Sequence, residues 1–439
     1  MRRGLQGVVM AEVGAARRRS AATPYAPAVL SARVGDAWQD PILRRSAWFV
    51  ILGIGTVVGR MHELIGPLRL IRPIFVVIAL TTMATLAARR RIGEQKSLFT
   101  DPSIVLLYTY WAWMIATVPT SIDRGHSVKF VLDIAIVFVF AAMVAAQPAT
   151  VPQLRQITRG FFSMTAVFGV LLLVRGNPEM DLDGLRYSIT ASLDPNDCAG
   201  FLAIGAPMAL AEARRKGAGG WRLISAGMFL IICLALLRTG SRGGFIALAA
   251  GIVVVFLSDR GIRVLVGISV LSMAALIGRE VAPSLLPARI AAMGNLENDY
   301  NLNTYGGRVQ IWTRAVKYFA ADPVLGVGVD NFAAREGIQM LEDGQPGHWS
   351  APHSAYVQSF IELGLIGGLL FCSAIAVSVR RVSGFFRSPS PVTGTTHPEY
   401  LAAVLAFSVS AIFLSHAYSW SFVALVALCA HAQRTLERR

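Results

Sequence analysis

Long apolar runs alternate with short polar punctuation along nearly the whole chain. The runs fall at 46–59, 73–88, 103–119, 129–147, 160–174, 198–213, 221–237, 243–258, 261–278, 355–378, 400–414 and 418–431, each closed by Arg, Pro, Gly or Asp. Several are shorter than the ~20 residues that cross a hydrocarbon core. Their ends therefore reach into flanking polar residues, or a few re-enter the bilayer. So many apolar runs in one chain predict a membrane bundle rather than the buried helices of a soluble protein. The strict alternation of a membrane β-barrel is absent. The expected fold is an all-α polytopic membrane protein of about 12 transmembrane helices, with a large loop before the tenth.

Composition strengthens this picture. The 439 residues are 54% apolar and only 15% charged, against about 25% charged in an ordinary soluble domain. Mean hydropathy is +0.54.

Charge then sets orientation through the positive-inside bias. With a cytoplasmic N-terminus, alternate loops hold Arg89–Arg91 with Lys96, Arg155 with Arg159, Arg214–Lys216 with Arg222, Arg260 with Arg263, and Arg380–Arg381 with Arg387. The tail cations Arg434, Arg438 and Arg439 fall on the same side. The opposite loops carry fewer cations per residue. The expected organisation is a flexible cytoplasmic tail over 1–45, spans one to nine over 46–278, an outer loop over 279–354, spans ten to twelve over 355–431, and a cytoplasmic tail over 432–439. The first 45 residues contain Arg17–Arg19 but lack the apolar core of a signal peptide.

The formal charge of +15 does not read as nucleic-acid binding. The cations are spread over membrane boundaries, and no basic helix with interleaved aromatics appears. Anionic lipid headgroups are the better partner. Cys198, Cys233, Cys372 and Cys429 lie in or beside apolar runs without metal-ligand spacing and read as small apolar side chains. Neither a metal nor an organic cofactor is expected.

Three places along the chain carry chemistry. The first is Arg238-Thr-Gly-Ser-Arg-Gly-Gly244, set between two uncharged apolar runs. Cations there are costly unless they meet water, a cavity or an anion. A helix break at the glycines exposes N–H groups at the start of the next span, and these favour phosphate. Guanidinium forks at Arg238 and Arg242, with Ser241 between them, add bidentate contacts. The alternative is that either arginine snorkels to outer headgroups.

The second place is the outer loop. Gly307–Phe319 has apolar residues at Val309, Trp312, Ala315, Val316 and Phe319, near helical spacing. Asp322-Pro323 ends that helix. Arg308 and Trp312 share a face, and Arg308 offers another cation. Leu325-Gly-Val-Gly-Val-Asp330 permits a tight backbone course but is no dinucleotide fingerprint.

The third is His353-Ser-Ala-Tyr356 with Gln358 and Glu362. On a helix Ser354, Gln358 and Glu362 form a polar stripe entering the membrane, which is either a site or a packing network. His353 is a candidate proton acceptor near neutral pH. His348, five residues before it, gives no ligand ladder.

At these residues the chain resembles the O-antigen ligase and O-antigen polymerase superfamily of bacterial inner-membrane glycosyltransferases. The matching stretches are Arg238–Gly244, Gly307–Trp312, Pro323–Phe332, His353–Tyr356 and Glu362–Gly367, in that order, with Asp194-Pro-Asn196 as a further element. The resemblance implies a multi-pass inner-membrane enzyme with its site facing the periplasm. It implies an undecaprenyl-diphosphate-linked glycan as donor and metal-independent transfer to an acceptor hydroxyl, with inversion. Ligases of the family use lipid A-core sugar as acceptor, and polymerases use another repeat unit. Position by position it marks Arg242, Arg308 and His353 as catalytic. Arg238, Ser241, Trp312, Tyr356, Gln358 and Asn196 complete the expected substrate contacts, Trp312 either stacking on a sugar or anchoring the loop. Lipopolysaccharide ligation is the favoured activity, with O-antigen or exopolysaccharide polymerisation as the near alternative and a lipid-linked glycan flippase as the alternative of another class. Envelope-polysaccharide assembly proteins are further candidate partners.

Overall fold

The computed structural model describes residues 40–64, 73–93, 98–181, 184–189, 193–258, 307–346 and 349–437. Helix starts are written into the sequence as capped prolines and serines. Asp40, Asp101 and Asp194 each precede a proline and accept a backbone N–H of the first turn, opening α1 (Pro41–Gly53), α3 (Pro102–Thr117) and α6 (Pro195–Arg214). Proline at the first helical position loses no hydrogen bond, and its fixed φ suits the helix. α2 (Pro73–Arg91) and α12 (Pro398–Phe413) also open on proline. Asp123 caps α4 (Arg124–Ala145). α5 (Val151–Arg175) has Pro152 in its first turn. Ser241 caps α8 (Arg242–Leu257), which follows α7 (Trp221–Thr239). Ser354 caps α11 (Ala355–Arg387) and Ser419 caps α13 (Trp420–Leu436). Between α8 and α11 lie α9 (Arg308–Ala321) and α10 (Phe332–Glu342).

Eleven of the twelve apolar runs thus coincide with helices. The run 261–278 lies outside the described residues, as do 1–39, the Pro-punctuated stretch 281–287, the Asn-rich stretch 295–305 and His348. Seven of the described helices are long and apolar enough to cross a membrane: α1 with its π-helical extension Ile54–Val58, α2, α3 with a short 3-10 extension, α4, α5, α7 and α11. α8 and α12 are shorter apolar helices. α1 starts at Pro41, inside the stretch expected as tail, because Asp40 supplies its cap.

α6 occupies the centre, packed on α5, α7, α8 and α12. Almost every residue from Ala199 to Ala209 is buried, and its Gly and Ala residues let the neighbours approach closely. α2 and α7 lie at the periphery, with Phe75, Val76, Leu223 and Leu230 pointing outward, as lipid-facing residues do.

The two ends of the bundle differ chemically. One gathers the arginines of the expected cytoplasmic loops. Arg91 pairs with Asp40 (2.8 Å), Arg381 with Asp101 (3.1 Å), Arg159 with Glu212 (2.5 Å) and Arg215 with Glu399 (2.5 Å). α8 ends there, with the Arg214 guanidinium 4.5 Å over the Phe256 ring. The opposite end gathers the α3–α4, α5–α6, α7–α8 and α12–α13 connections with α9 and α10. Ile122 donates to the Val327 carbonyl (3.1 Å), and the Asn331 side-chain oxygen accepts from the Asp123 N–H (2.8 Å). The apolar pattern did not signal one element at this end, an antiparallel hairpin of β1 (Asn177–Asp181) and β2 (Gly184–Ser188), in register Pro178 to Tyr187. Five-residue strands between two long apolar runs leave too little periodicity to read.

Candidate functional site

The Arg238–Gly244 segment is a helix break, as its glycines indicate. Gly240 takes a left-handed conformation (φ 63°) to end α7, and Ser241 caps α8 by accepting from the Gly244 N–H (3.3 Å). One of the N–H groups expected to be free is therefore used internally. Gly243 and Gly244 serve packing. A Cβ on Gly243 would lie 2.7 Å from Phe413 Cβ, and one on Gly244 would lie 2.6 Å from Ala199 Cβ. This contact brings the start of α8, with half-buried Arg242, against α6 and the 413–416 turn.

The break separates the two arginines. Arg238 donates to the Leu173 carbonyl (2.7 Å), and its guanidinium sits 4.0 Å over the Tyr187 ring. It clasps the hairpin to the end of α5. Beside it, Arg186 is buried, donating to the Thr239 carbonyl (3.2 Å) and to Asn196 Oδ1 (2.7 Å). Asn196 therefore holds a cation. The sequence reading missed Arg186, which stands in no motif, just after the acidic residues Glu179, Asp181 and Asp183.

The glycine-rich stretch after α9 and the Glu-Leu-Gly element of α11 form one joint. Gly364 has φ 67° and ψ −169° inside α11, a region open essentially to glycine. The kink frees carbonyls that would otherwise be spent within the helix. The Val327 N–H donates to the Ile361 carbonyl (2.9 Å), the Gly328 N–H to the Glu362 carbonyl (2.9 Å), and the Leu365 N–H to the Pro323 carbonyl (2.8 Å). The buried Glu362 carboxylate then accepts from the N–H groups of Asp330 (2.8 Å) and Phe332 (3.2 Å). Glu362 is a clamp for the loop and the start of α10. The polar stripe divides accordingly. Ser354 is a cap, Glu362 a clamp, and Gln358 lines a cavity while accepting from the Ala417 N–H (3.3 Å).

His353 precedes α11 rather than riding on it, because Ser354 is the cap. Its φ is 50°, and its N–H donates to Ser415 Oγ (2.9 Å). Trp312 donates from Nε1 to the Pro352 carbonyl (2.8 Å), so the loop helix is tied next to His353. That contact uses the indole as an anchor. Tyr356 turns into the bundle and donates to the Ser408 carbonyl (3.1 Å). Burial first, and the Arg308 charge second, push the His353 imidazole down to about 4, with Asp197 opposing and Arg186 adding to the depression. The groups that act on this ring are thus Arg308, Arg186 and Asp197.

A cavity of about 520 Å³ opens on this end of the bundle. Its wall includes Arg60, Asp133, Asp197, Asp330, Gln358 and Ser415, with His416, Tyr418 and Trp420. His416 Nε2 pairs with Asp197 (2.8 Å), and His126 Nε2 pairs with Asp330 (2.7 Å). Burial pushes the Asp330 carboxyl up, while His126 opposes the shift. Among the described residues, three non-glycine residues have positive φ: Arg60, Asp330 and His353. Two line the cavity and the third is bonded to its wall. Such backbone costs about 1–3 kcal/mol each and concentrates at working sites.

Residues 227–372 match the family model described as O-antigen ligase. Over that segment, about a third of the chain, the protein is similar to the O-antigen ligase family. It runs from α7 through the first part of α11 and includes Arg238–Gly244, Gly307–Trp312, Pro323–Phe332, His353–Tyr356 and the Gly364 joint. No curated protein matches the chain. A solved structure described as "Structural coordination of polymerization and crosslinking by a peptidoglycan synthase complex" is similar at 15% identity, with a TM-score of 0.43, over 76% of this chain and 96% of that one. The superfamily match supports glycosyltransferase chemistry of the O-antigen ligase/polymerase type in a multi-pass membrane protein. Much of the cavity wall lies outside the matched segment, on α1, α4, α6 and the α12–α13 turn.

Proposed function

We propose that this protein transfers a glycan from undecaprenyl diphosphate to an acceptor hydroxyl at the periplasmic face of a bacterial inner membrane. Lipid A-core sugar is the favoured acceptor. The observation that carries the reading is the convergence of Arg308, Arg186 and Asp197 on His353, at the bundle end opposite the paired arginines. By the positive-inside bias the paired end is cytoplasmic. Twelve spans with the 279–354 loop outside fit that orientation.

In this reading Arg242 at the start of α8 and Arg308 at the start of α9 bind the donor diphosphate. They stabilise the charge that grows as it leaves. Helix N-termini reinforce both positions. Depressed as it is, His353 is neutral at pH 7 and presents a lone pair to the acceptor hydroxyl. The acceptor oxygen attacks the anomeric carbon from the face opposite the leaving group. The carbon–oxygen bond to diphosphate breaks, undecaprenyl diphosphate departs, and the hydroxyl proton passes to His353. Trp312 and Ser415 hold the His353 backbone in place.

The test uses purified full-length protein with an undecaprenyl-diphosphate glycan and two acceptors, lipid A-core and a second lipid-linked repeat unit. Product on lipid A-core supports ligation, and lengthened lipid-linked glycan points to polymerisation. Normal turnover by Arg308→Ala or His353→Ala protein, or transport of the glycan without any covalent product, overturns the proposal.

A further inference from the structure

The cavity and the arginines beside it have opposite electrical character. Three carboxylates line the cavity: Asp133, and Asp197 and Asp330, each of which also pairs with a histidine. The one arginine among its described lining residues is committed elsewhere, since Arg60 donates from Nε to Glu63 (2.6 Å) and lies 5.3 Å over the Trp420 ring. Carboxylates only accept hydrogen bonds when ionised, so they suit hydroxyl and ammonium donors and repel phosphate. The diphosphate therefore belongs with Arg242 and Arg308, outside this cavity.

We infer that the cavity is a saccharide subsite that takes uncharged or amino-bearing sugars and rejects acidic ones. The inference rests on the glycosyl-transfer reading and specifies its substrate. The size falls in the range of about 300–1,000 Å³ typical of small-molecule sites and suits the end of an oligosaccharide. The Trp420 and Phe130 rings offer flat apolar surfaces for sugar faces, and Arg60 holds the Trp420 ring from one side. His416 holds Asp197 in the wall from Nε2 (2.8 Å), while its Cε1–Nδ1 edge packs against Gly200 of α6. His353 is bonded to Ser415 in the same wall and lies within electrostatic reach of Arg308.

The test is direct binding at pH 8 to full-length protein in lipid nanodiscs. Three probes of equal length are titrated: maltotriose, a glucosamine trimer and a galacturonate trimer. Maltotriose and the glucosamine trimer are expected to bind, with the galacturonate trimer at least tenfold weaker. Trp420→Ala is expected to weaken maltotriose at least tenfold. Asp133→Asn changes one exposed carboxylate at the cavity mouth, and with an unchanged melting midpoint it should narrow the gap between maltotriose and the galacturonate trimer. Equal or tighter galacturonate binding, no binding of any trimer, or affinities that ignore both substitutions overturn the inference. Preloading with undecaprenyl diphosphate-linked glycan separates the sources. Displacement of maltotriose by it assigns the subsite to donor sugar, and undiminished maltotriose binding assigns it to acceptor sugar. Binding with the expected selectivity but no transfer product would overturn the transferase reading alone. Transfer with no discrimination between the trimers would overturn this inference alone.

Discussion

Replacing Gly364 with alanine should unfasten the 323–332 segment while leaving the helical bundle intact. The φ of 67° with ψ −169° is a region that costs a residue with a side chain about 1–3 kcal/mol. The new Cβ would also collide with the Val324 carbonyl and lie 2.8 Å from the Leu325 N–H nitrogen. Both are backbone atoms, so relief requires the 323–328 segment to move away. That movement breaks the Val327, Gly328 and Leu365 hydrogen bonds, each worth about 0.5–1.5 kcal/mol net. The local opening free energy of this segment should fall by about 2–5 kcal/mol, which speeds amide exchange there by about 30-fold to a few thousand-fold. Hydrogen-exchange mass spectrometry in nanodiscs reads this at Val327, Gly328 and Asp330. Gly384→Ala is the internal control, because it lies in the same helix with no atom within 4 Å of its added Cβ and no positive φ. It should leave exchange at 323–332 unchanged. If Gly364→Ala protein exchanges like the Gly384→Ala control, the kink does not hold the loop and the assignment of Glu362 as its clamp fails with it.

The pH profile provides a second check. With His353 lowered to about 4, kcat/KM should stay flat from pH 6 to 8 and fall only as pH drops through about 4, when the ring gains a proton. Arg308→Gln removes one of the depressing charges, so the acid limb should move upward. The stability linkage has a definite sign. Below its ordinary 6.5 the unfolded chain takes the His353 proton before the folded one does, so stability decreases as pH falls from 6.5 toward 4. Loss of that acid-side slope in His353→Gln protein, read by unfolding midpoints, is the expected result. The two arginines of the opening motif should behave differently. Arg238→Ala loses a hydrogen bond and a ring contact, costing about 1–2 kcal/mol of stability with little change in donor KM. Arg242→Ala should cut transfer at least a hundredfold with a smaller effect on stability. Equal kinetic damage from both would reject this division.

The sequence by itself determined the membrane character, because apolar runs bounded by charges and prolines are a one-dimensional signal. Many helix starts lie in the polar residues before those runs, at caps such as Asp40 and Asp194, which the apolar pattern does not mark. The segments carrying the superfamily match were legible as short local motifs. Tertiary structure decided what each motif residue does. Arg238 and Arg242 look equivalent four residues apart, yet the break at Gly240 sends one to Tyr187 and leaves the other at the start of α8. The Gly-Val-Gly and Glu-Leu-Gly elements reveal themselves as one joint only when the freed carbonyls of α11 meet the N–H groups of Val327 and Gly328. Arg60, Asp133, Asp197 and His416 carry no motif at all, because a cavity wall assembled from four separated segments has no period or spacing along the chain. What unites them is distance in space, which hydrogen-bond geometry and packing set after the helices have formed.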